Sequence, residues 1–188
     1  MNSRLRNREH FLRIAIAGTH STGKSTLAEE LQSKLKDYEL FEEPYHRMVE
    51  EGYDFPEVPT VEDFFEQLKV WHSSIKESRG DTIFDRSPLD FLAYALSLRP
   101  RESFDKQEWI ELCEEALADV DAIILCPVED PDRIGAVSRE GRKLRARVDQ
   151  ILKEFLLDDT LGLLSHLVVI EVTGSIDQRV NKTLQALS

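Results

Sequence analysis

Apolar residues along the chain fall into two alternating rhythms. Short, mainly apolar runs occur at Leu12 to Ala17, Tyr38 to Phe41, Asp81 to Asp85, Ala122 to Cys126 and Leu167 to Val172. Runs of this length predict buried strands of a parallel sheet. Between them, apolar residues recur at three-and-four spacing: Leu27, Ala28, Leu31 and Leu35, then Val61, Phe64, Phe65, Leu68, Trp71, His72 and Ile75. The same spacing returns at Leu89, Leu92, Ala93 and Leu96, at Trp109, Leu112, Cys113, Ala116 and Leu117, and at Val148, Ile151, Leu152, Phe155 and Leu156. These segments predict amphipathic helices.

The boundaries between elements are marked by residues with local reasons to be there. Thr60 with Asp63, Ser87 with Asp90, and Ser175 with Gln178 each read as an N-cap with a side chain at N3 that can reach back, and Pro88 suits a first helical position. Pro44, Gly52 to Pro59, Arg99-Pro100 and Pro127 to Asp132 read as stops, breakers or turns. Strands alternating with helices predict a three-layer α/β domain, its parallel sheet of about five strands covered by helices on both faces. In such a sheet ligands collect at the carboxyl ends of the strands. That rule selects the loop after the first strand, Glu42 and Glu43 after the second, and Asp85 and Arg86 after the third.

The chain of 188 residues is 41% hydrophobic, enough for one well-buried domain over residues 12–188, with residues 1–11 expected to form a flexible tail. A formal net charge of −12 argues against a nucleic-acid track, which needs Lys and Arg to neutralise phosphates. Cys113 and Cys126 make no disulfide framework, and both fall on apolar elements as core thiols. Without a cleavable apolar leader or a run long enough to span a bilayer, the expectation is a cytoplasmic protein with no membrane partner, monomeric or homodimeric.

The segment after the first strand reads Gly18-Thr19-His20-Ser21-Thr22-Gly23-Lys24-Ser25-Thr26, a complete GxxxxGKS motif with a strand before it and a helix after it. The glycines let the backbone curl so that successive amides face inward, and the helix starting near Lys24 adds its positive end. Lys24 supplies an ammonium for the β and γ phosphates of a nucleoside triphosphate, and Ser25 a hydroxyl for Mg²⁺, with Thr19, His20, Ser21, Thr22 and Thr26 completing the cradle. ATP and Mg²⁺ are therefore the expected cofactors. A guanine-specific reader is not visible, because Asn181-Lys182 continues as Thr183-Leu184 and lies in a helical segment.

Glu42-Glu43-Pro44, Asp85-Arg86-Ser87 and the Arg-rich segment before the last strand resemble the layout of deoxynucleoside and thymidylate kinases. GTHSTGKSTL together with DRSPLDFLAY is similar to the ribosylnicotinamide-kinase-like P-loop family with its AAA-type ATP-binding domain. That resemblance runs from about Leu12 to Val180 and implies an ATP-dependent kinase acting on a nucleoside-like small molecule, with ribosylnicotinamide the leading acceptor. A nucleoside or nucleoside monophosphate kinase, and a regulatory ATP-binding domain, are the alternatives. The resemblance further implies Glu43 as the general base, with Glu42 its rival. It implies Asp85 for orienting Mg²⁺ and Arg86 for the acceptor hydroxyl or the transferring phosphoryl group.

Three assignments stand open at this level. Asp90 is a ribose or base contact, or the N3 member of the cap it makes with Ser87. Gln67, between Phe64 and Trp71, reads a base or carboxamide stacked on aromatics, or is an exposed polar neighbour of an aromatic core. In kinases of this layout an Arg-rich segment forms a lid, here about residues 130–147. Helical spacing puts Arg139, Arg142 and Arg145 along one side, with Arg142 and Arg145 as the catalytic candidates. The alternative is a solvated helix face.

Overall fold

The computed structural model describes residues 11–98, 104–132 and 139–187; the tail before Phe11, Arg99-Pro100 and residues 133–138 of the expected lid lie outside them. The chain begins with β1 (Arg13–Ala17), α1 (Lys24–Lys34), β2 (Glu39–Phe41), α2 (Pro44–Glu50), α3 (Val61–Glu77) and β3 (Thr82–Asp85). It continues with α4 (Pro88–Ser97), α5 (Lys106–Leu117), β4 (Ala122–Leu125), α6 (Arg139–Leu156), β5 (Val168–Glu171) and α7 (Ile176–Leu187). All five strands are parallel, in the order β2-β3-β1-β4-β5.

This order explains the layering. The connection from β1 to β2 runs across the sheet in one direction, and every later connection runs the other way. Right-handed crossovers then put α1 on one face and the helices of the later connections on the opposite face. The core divides accordingly. Ile14, Ile16, Ile83 and Ile124 point to the face packed with Leu27, Ala28 and Leu31 of α1 and Val180 of α7. Ala15, Ala17, Phe84, Ile123 and Leu125 point to the other, against α3, α4, α5 and α6. The alternation along each strand follows from the period-two pleat.

Because α1 leaves β1 toward one face while α4 and α6 follow its neighbours toward the other, a crevice opens at the carboxyl end of β1. β2 lies at a sheet edge and is shorter than its apolar run, only three residues, having a single neighbour to pair with. The caps form as expected. Thr60 and Asp63 make a reciprocal capping box, as do Ser87 and Asp90 with Pro88 in the first turn. Ser175 and Gln178 exchange backbone-to-side-chain bonds at the start of α7. Cys113 and Cys126 are buried free thiols. No helix among the described residues is long and apolar enough to cross a membrane.

Candidate active site

The phosphate loop is shaped by two glycines in conformations that disfavour other residues, with φ 150° at Gly18 and 84° at Gly23. Space matters as well at Gly18, where a Cβ would lie 2.5 Å from the Cys126 carbonyl oxygen at the end of β4. Ser21 also takes a positive φ of 54°. Left-handed residues spaced among right-handed ones turn consecutive amides the same way and make an anion nest. Helix α1 opens at Gly23 with no side-chain cap and no acidic residue in its first turn, so its positive end faces the crevice without compensation.

Two residues of α4 hold the loop in this shape, Asp90 and Tyr94. The Gly18 amide donates to Asp90 Oδ1 at 2.9 Å, while Asp90 Oδ2 accepts from the Ser87 amide at 3.0 Å and its hydroxyl at 2.6 Å. Asp90 is fully buried. Its carboxylate both caps α4 and holds the loop. Burial raises its pKa against the opposing pull of Arg86 and Lys24. The Tyr94 hydroxyl accepts from the His20 amide at 2.7 Å and lies 2.9 Å from His20 Nδ1.

Lys24 is buried, and its ammonium donates to the Thr19 carbonyl at 2.9 Å. Burial, reinforced by the nearby Arg86 guanidinium, lowers its pKa from 10.5 to about 8, although Asp90, Asp85 and Glu43 pull in the opposite direction. A cation held this way is poised to gain from an arriving anion.

On the acceptor side, Arg86 Nε donates to Glu43 Oε1 at 2.5 Å. Burial pushes the Glu43 carboxyl up, but the charge and hydrogen bond of Arg86, with Lys24 beyond it, outweigh this and hold it below the ordinary carboxylate value. Glu43 is half-buried and turned toward Arg86, while Glu42 is exposed. Arg86 itself is buried with φ 92°, a strained conformation costing about 1–3 kcal/mol that the surroundings must enforce. Its amide donates to the Ile16 carbonyl, its own carbonyl accepts from Trp71 Nε1 at 3.0 Å, and its guanidinium lies over the Tyr94 ring. Burial opposes its charge, yet Glu43, Tyr94 and Asp90 together raise its pKa further, so it is a permanent cation.

Asp85, at the end of β3, is buried, and its Oδ1 takes no hydrogen bond among the described residues. A buried carboxylate oxygen left over is the donor a hard cation seeks, and with the Ser25 hydroxyl it forms an oxygen-only set that fits Mg²⁺. No group of three or more His, Cys, Asp or Glu among the described residues gathers to hold a metal alone.

Gln67 is not an exposed polar neighbour of the core: it is buried, and its Nε2 donates to the Asp63 carbonyl one turn earlier. Phe64 stacks on Tyr94 with ring centroids 5.0 Å apart. Within α6, Arg142 is exposed, but Arg145 is buried at 3% and takes up the phosphate loop itself. Arg145 Nε donates to the His20 carbonyl at 2.9 Å and Nη2 to the Ser21 carbonyl at 2.7 Å, and the guanidinium forks onto Asp132. One arginine of the expected row therefore belongs to the loop's support.

Residues that the sequence reading did not single out are Tyr94, Trp71 as a partner of Arg86, Asp132, Glu129 and Arg179. Arg179 had a visible signal: it falls three residues after Ile176 and beside Val180 on the apolar side of α7, where a cation needs an internal partner.

A parallel sheet carrying a phosphate loop after its first strand, with acidic and basic side chains converging on it from the neighbouring strands, defines a P-loop nucleotide-binding domain. The chain belongs to the AAA domain family, whose model matches residues 13–179. Curated protein sequences contain no match to it. Among solved structures, deoxyadenosine kinase from M. mycoides with bound dATP is similar, with a TM-score of 0.64 and 20% identity over 94% of this chain and 98% of that one. Thymidylate kinase from Candida albicans gives a TM-score of 0.63 and 18% identity over 95% and 91% of the two chains. NadR protein in complex with NR gives 0.67 and 21%, covering 95% of this chain and 50% of that one, so the chain spans half the length of NadR. At these identities the likeness is one of fold: a kinase-like P-loop fold.

Proposed function

We propose that the protein is an ATP-dependent phosphotransferase that moves the γ-phosphoryl group to a hydroxyl of a nucleoside-like acceptor, with ribosylnicotinamide the leading candidate. The observation that carries this reading is the Glu43–Arg86 pair, a carboxylate and a guanidinium 2.5 Å apart on the strand ends beside Lys24. A carboxylate there can take the proton of an acceptor hydroxyl, and the dependence of turnover on an acceptor distinguishes this from activation of water. NadR with NR and deoxyadenosine kinase with dATP, both of this fold, support the acceptor class.

In this reading the amides of the nest and Lys24 hold the β and γ phosphates. Glu43 accepts the proton of the acceptor hydroxyl as its oxygen bonds to the γ phosphorus and the bond to the β–γ bridging oxygen breaks. Arg86 orients Glu43 and meets charge on the transferring group, and Arg142 on the exposed face of α6 is the remaining lid candidate. Asp85 and Ser25 would hold Mg²⁺, which when bound neutralises phosphate charge.

The test is ADP formation measured with and without each of ribosylnicotinamide, the common nucleosides and their monophosphates. Acceptor-dependent acceleration of about tenfold or more identifies the kinase, whereas a rate indifferent to every acceptor identifies a nucleotide switch. Under a non-hydrolysable ATP analogue, the matching acceptor at about 100 times its Kd should add about 2.7 kcal/mol of thermal stability.

The lowered pKa of Lys24 makes a separate prediction. With a value of about 8, Lys24 is largely neutral in the free protein near pH 9. An arriving triphosphate favours the ammonium, so binding there should take up about one proton, and affinity should fall as pH rises above about 8. Calorimetry of the ATP analogue in buffers of different ionisation enthalpy reads this directly. Equal enthalpies in all buffers near pH 9, with affinity flat from about pH 7 to 10, would contradict it.

A further inference from the structure

The four consecutive carbonyls of residues 19–22 all accept from cationic side chains. Lys24 Nζ serves Thr19, Arg145 serves His20 and Ser21, and Arg179 Nη1 serves Thr22 at 2.6 Å. Lys24 belongs to the loop, but the arginines come from α6 and α7, on opposite faces of the sheet. Each is also locked to an acid. Arg145 forks onto Asp132, and Arg179 Nη2 donates to Glu129 Oε1 at 2.6 Å while its Nε donates to the Gly174 carbonyl at 3.1 Å. Glu129 Oε1 accepts from the Gly174 amide as well, at 2.9 Å, so this second clamp joins the loops after β4 and β5 to the phosphate loop. Arg179 is buried at 5%.

We infer that Arg179 and Arg145 are positioning residues of the triphosphate site, whose guanidiniums take the outward carbonyls of residues 20–22 and thereby aim the amides of the loop at one anion. A peptide plane is rigid, so fixing a carbonyl fixes the direction of the following N–H. With the carbonyls of His20, Ser21 and Thr22 pinned outward, the amides of Ser21, Thr22 and Gly23 are turned inward before any ligand arrives. Each clamp is a guanidinium–carboxylate pair, so its two charges cancel and its effect on the site is geometric. A loop already ordered loses less entropy on binding, and that difference appears as affinity. The coupling to Gly174 has a consequence of its own: the loop after β5 cannot move without disturbing Thr22.

This inference rests on the triphosphate reading of the loop, and the experiment separates the two. Removing Arg179 alone would take the guanidinium away from the largely buried Glu129 carboxylate, which destabilises the fold for reasons unrelated to the site. The variant to use is therefore the double replacement Arg179→Met with Glu129→Gln, which leaves the net charge unchanged and keeps an acceptor for the Gly174 amide. Its affinity for inorganic tripolyphosphate and for a non-hydrolysable ATP analogue is measured beside circular dichroism and ligand-free melting. A folded variant that binds both probes about tenfold or more weakly, and whose amides at residues 20–24 exchange hydrogen faster than the wild type, supports the inference. A folded variant with wild-type affinity for both and unchanged exchange overturns it. If the variant does not fold, Arg145→Lys gives the same readouts, since an ammonium cannot span both carbonyls and Asp132. Failure of the wild-type protein to bind either probe removes the triphosphate reading and this inference with it.

Discussion

Replacing Lys24 with alanine is expected to abolish phosphoryl transfer, a loss of about 10³-fold or more in kcat, and to weaken binding of an ATP analogue while the fold survives. The fold should survive because, among the described residues, the ammonium makes a single hydrogen bond, to the Thr19 carbonyl, which also accepts from the Thr22 hydroxyl at 2.9 Å. Removing the lysine therefore orphans no buried acceptor. It also relieves a buried cation that its neighbour Arg86 opposes, as its lowered pKa records. The large effect lies in the bound state, where the ammonium is the one loop side chain able to compensate charge that builds on the β and γ oxygens. Melting without ligand, analogue affinity and single-turnover rate separate these effects. Retention of both turnover and affinity would remove the nucleotide site itself.

Replacing Glu43 with glutamine is expected to lower kcat by about 10²- to 10⁴-fold, the range for a lost general base, with ATP affinity nearly unchanged. Glutamine keeps an oxygen for Arg86 Nε, so the strained Arg86 backbone and the packing beneath it are retained. The loss is then chemical. Glu42→Gln is the control, because Glu42 is exposed whereas Glu43 is the acid that pairs with Arg86. If Glu42→Gln produces the loss and Glu43→Gln does not, the assignment is wrong by one residue. The pH profile offers a second check. Since Arg86 holds Glu43 below the ordinary carboxylate value, the acid limb of kcat/KM should lie below about pH 4.5, and an acid limb between about pH 6 and 7 would assign the base elsewhere.

Much of this protein is legible in its sequence because much of it is local. The phosphate loop needs only Gly18, Gly23, Lys24 and Ser25 at fixed offsets between a strand and a helix, and the capping boxes Thr60–Asp63 and Ser87–Asp90 close within one turn. Apolar period located five strands and most of the helices between them, though not the short α2, with ends shifted by a residue or two where an edge strand such as β2 lacks a second partner. The carboxyl-end rule then selected Glu42, Glu43, Asp85 and Arg86 as candidate neighbours of the loop without any coordinates.

What the sequence left open were choices between residues with equal local claims. Glu42 and Glu43 are adjacent acids, and which one faces the crevice depends on how α2 starts after the edge strand and on Arg86, 43 positions later. Asp90 is equally suited by its local sequence to a cap and to a ligand, and its bond from the Gly18 amide, 72 positions earlier, lies beyond local chemistry. Arg142 and Arg145 share one helical spacing, yet the structure buries Arg145 against carbonyls 125 and 124 positions away. Arg179 meets the Thr22 carbonyl across 157 positions. Periodicity and capping chemistry act within a few residues and are written in the sequence. The support of the phosphate loop depends on which helices the β2-β3-β1-β4-β5 order brings to the end of β1, and only the closed sheet decides that.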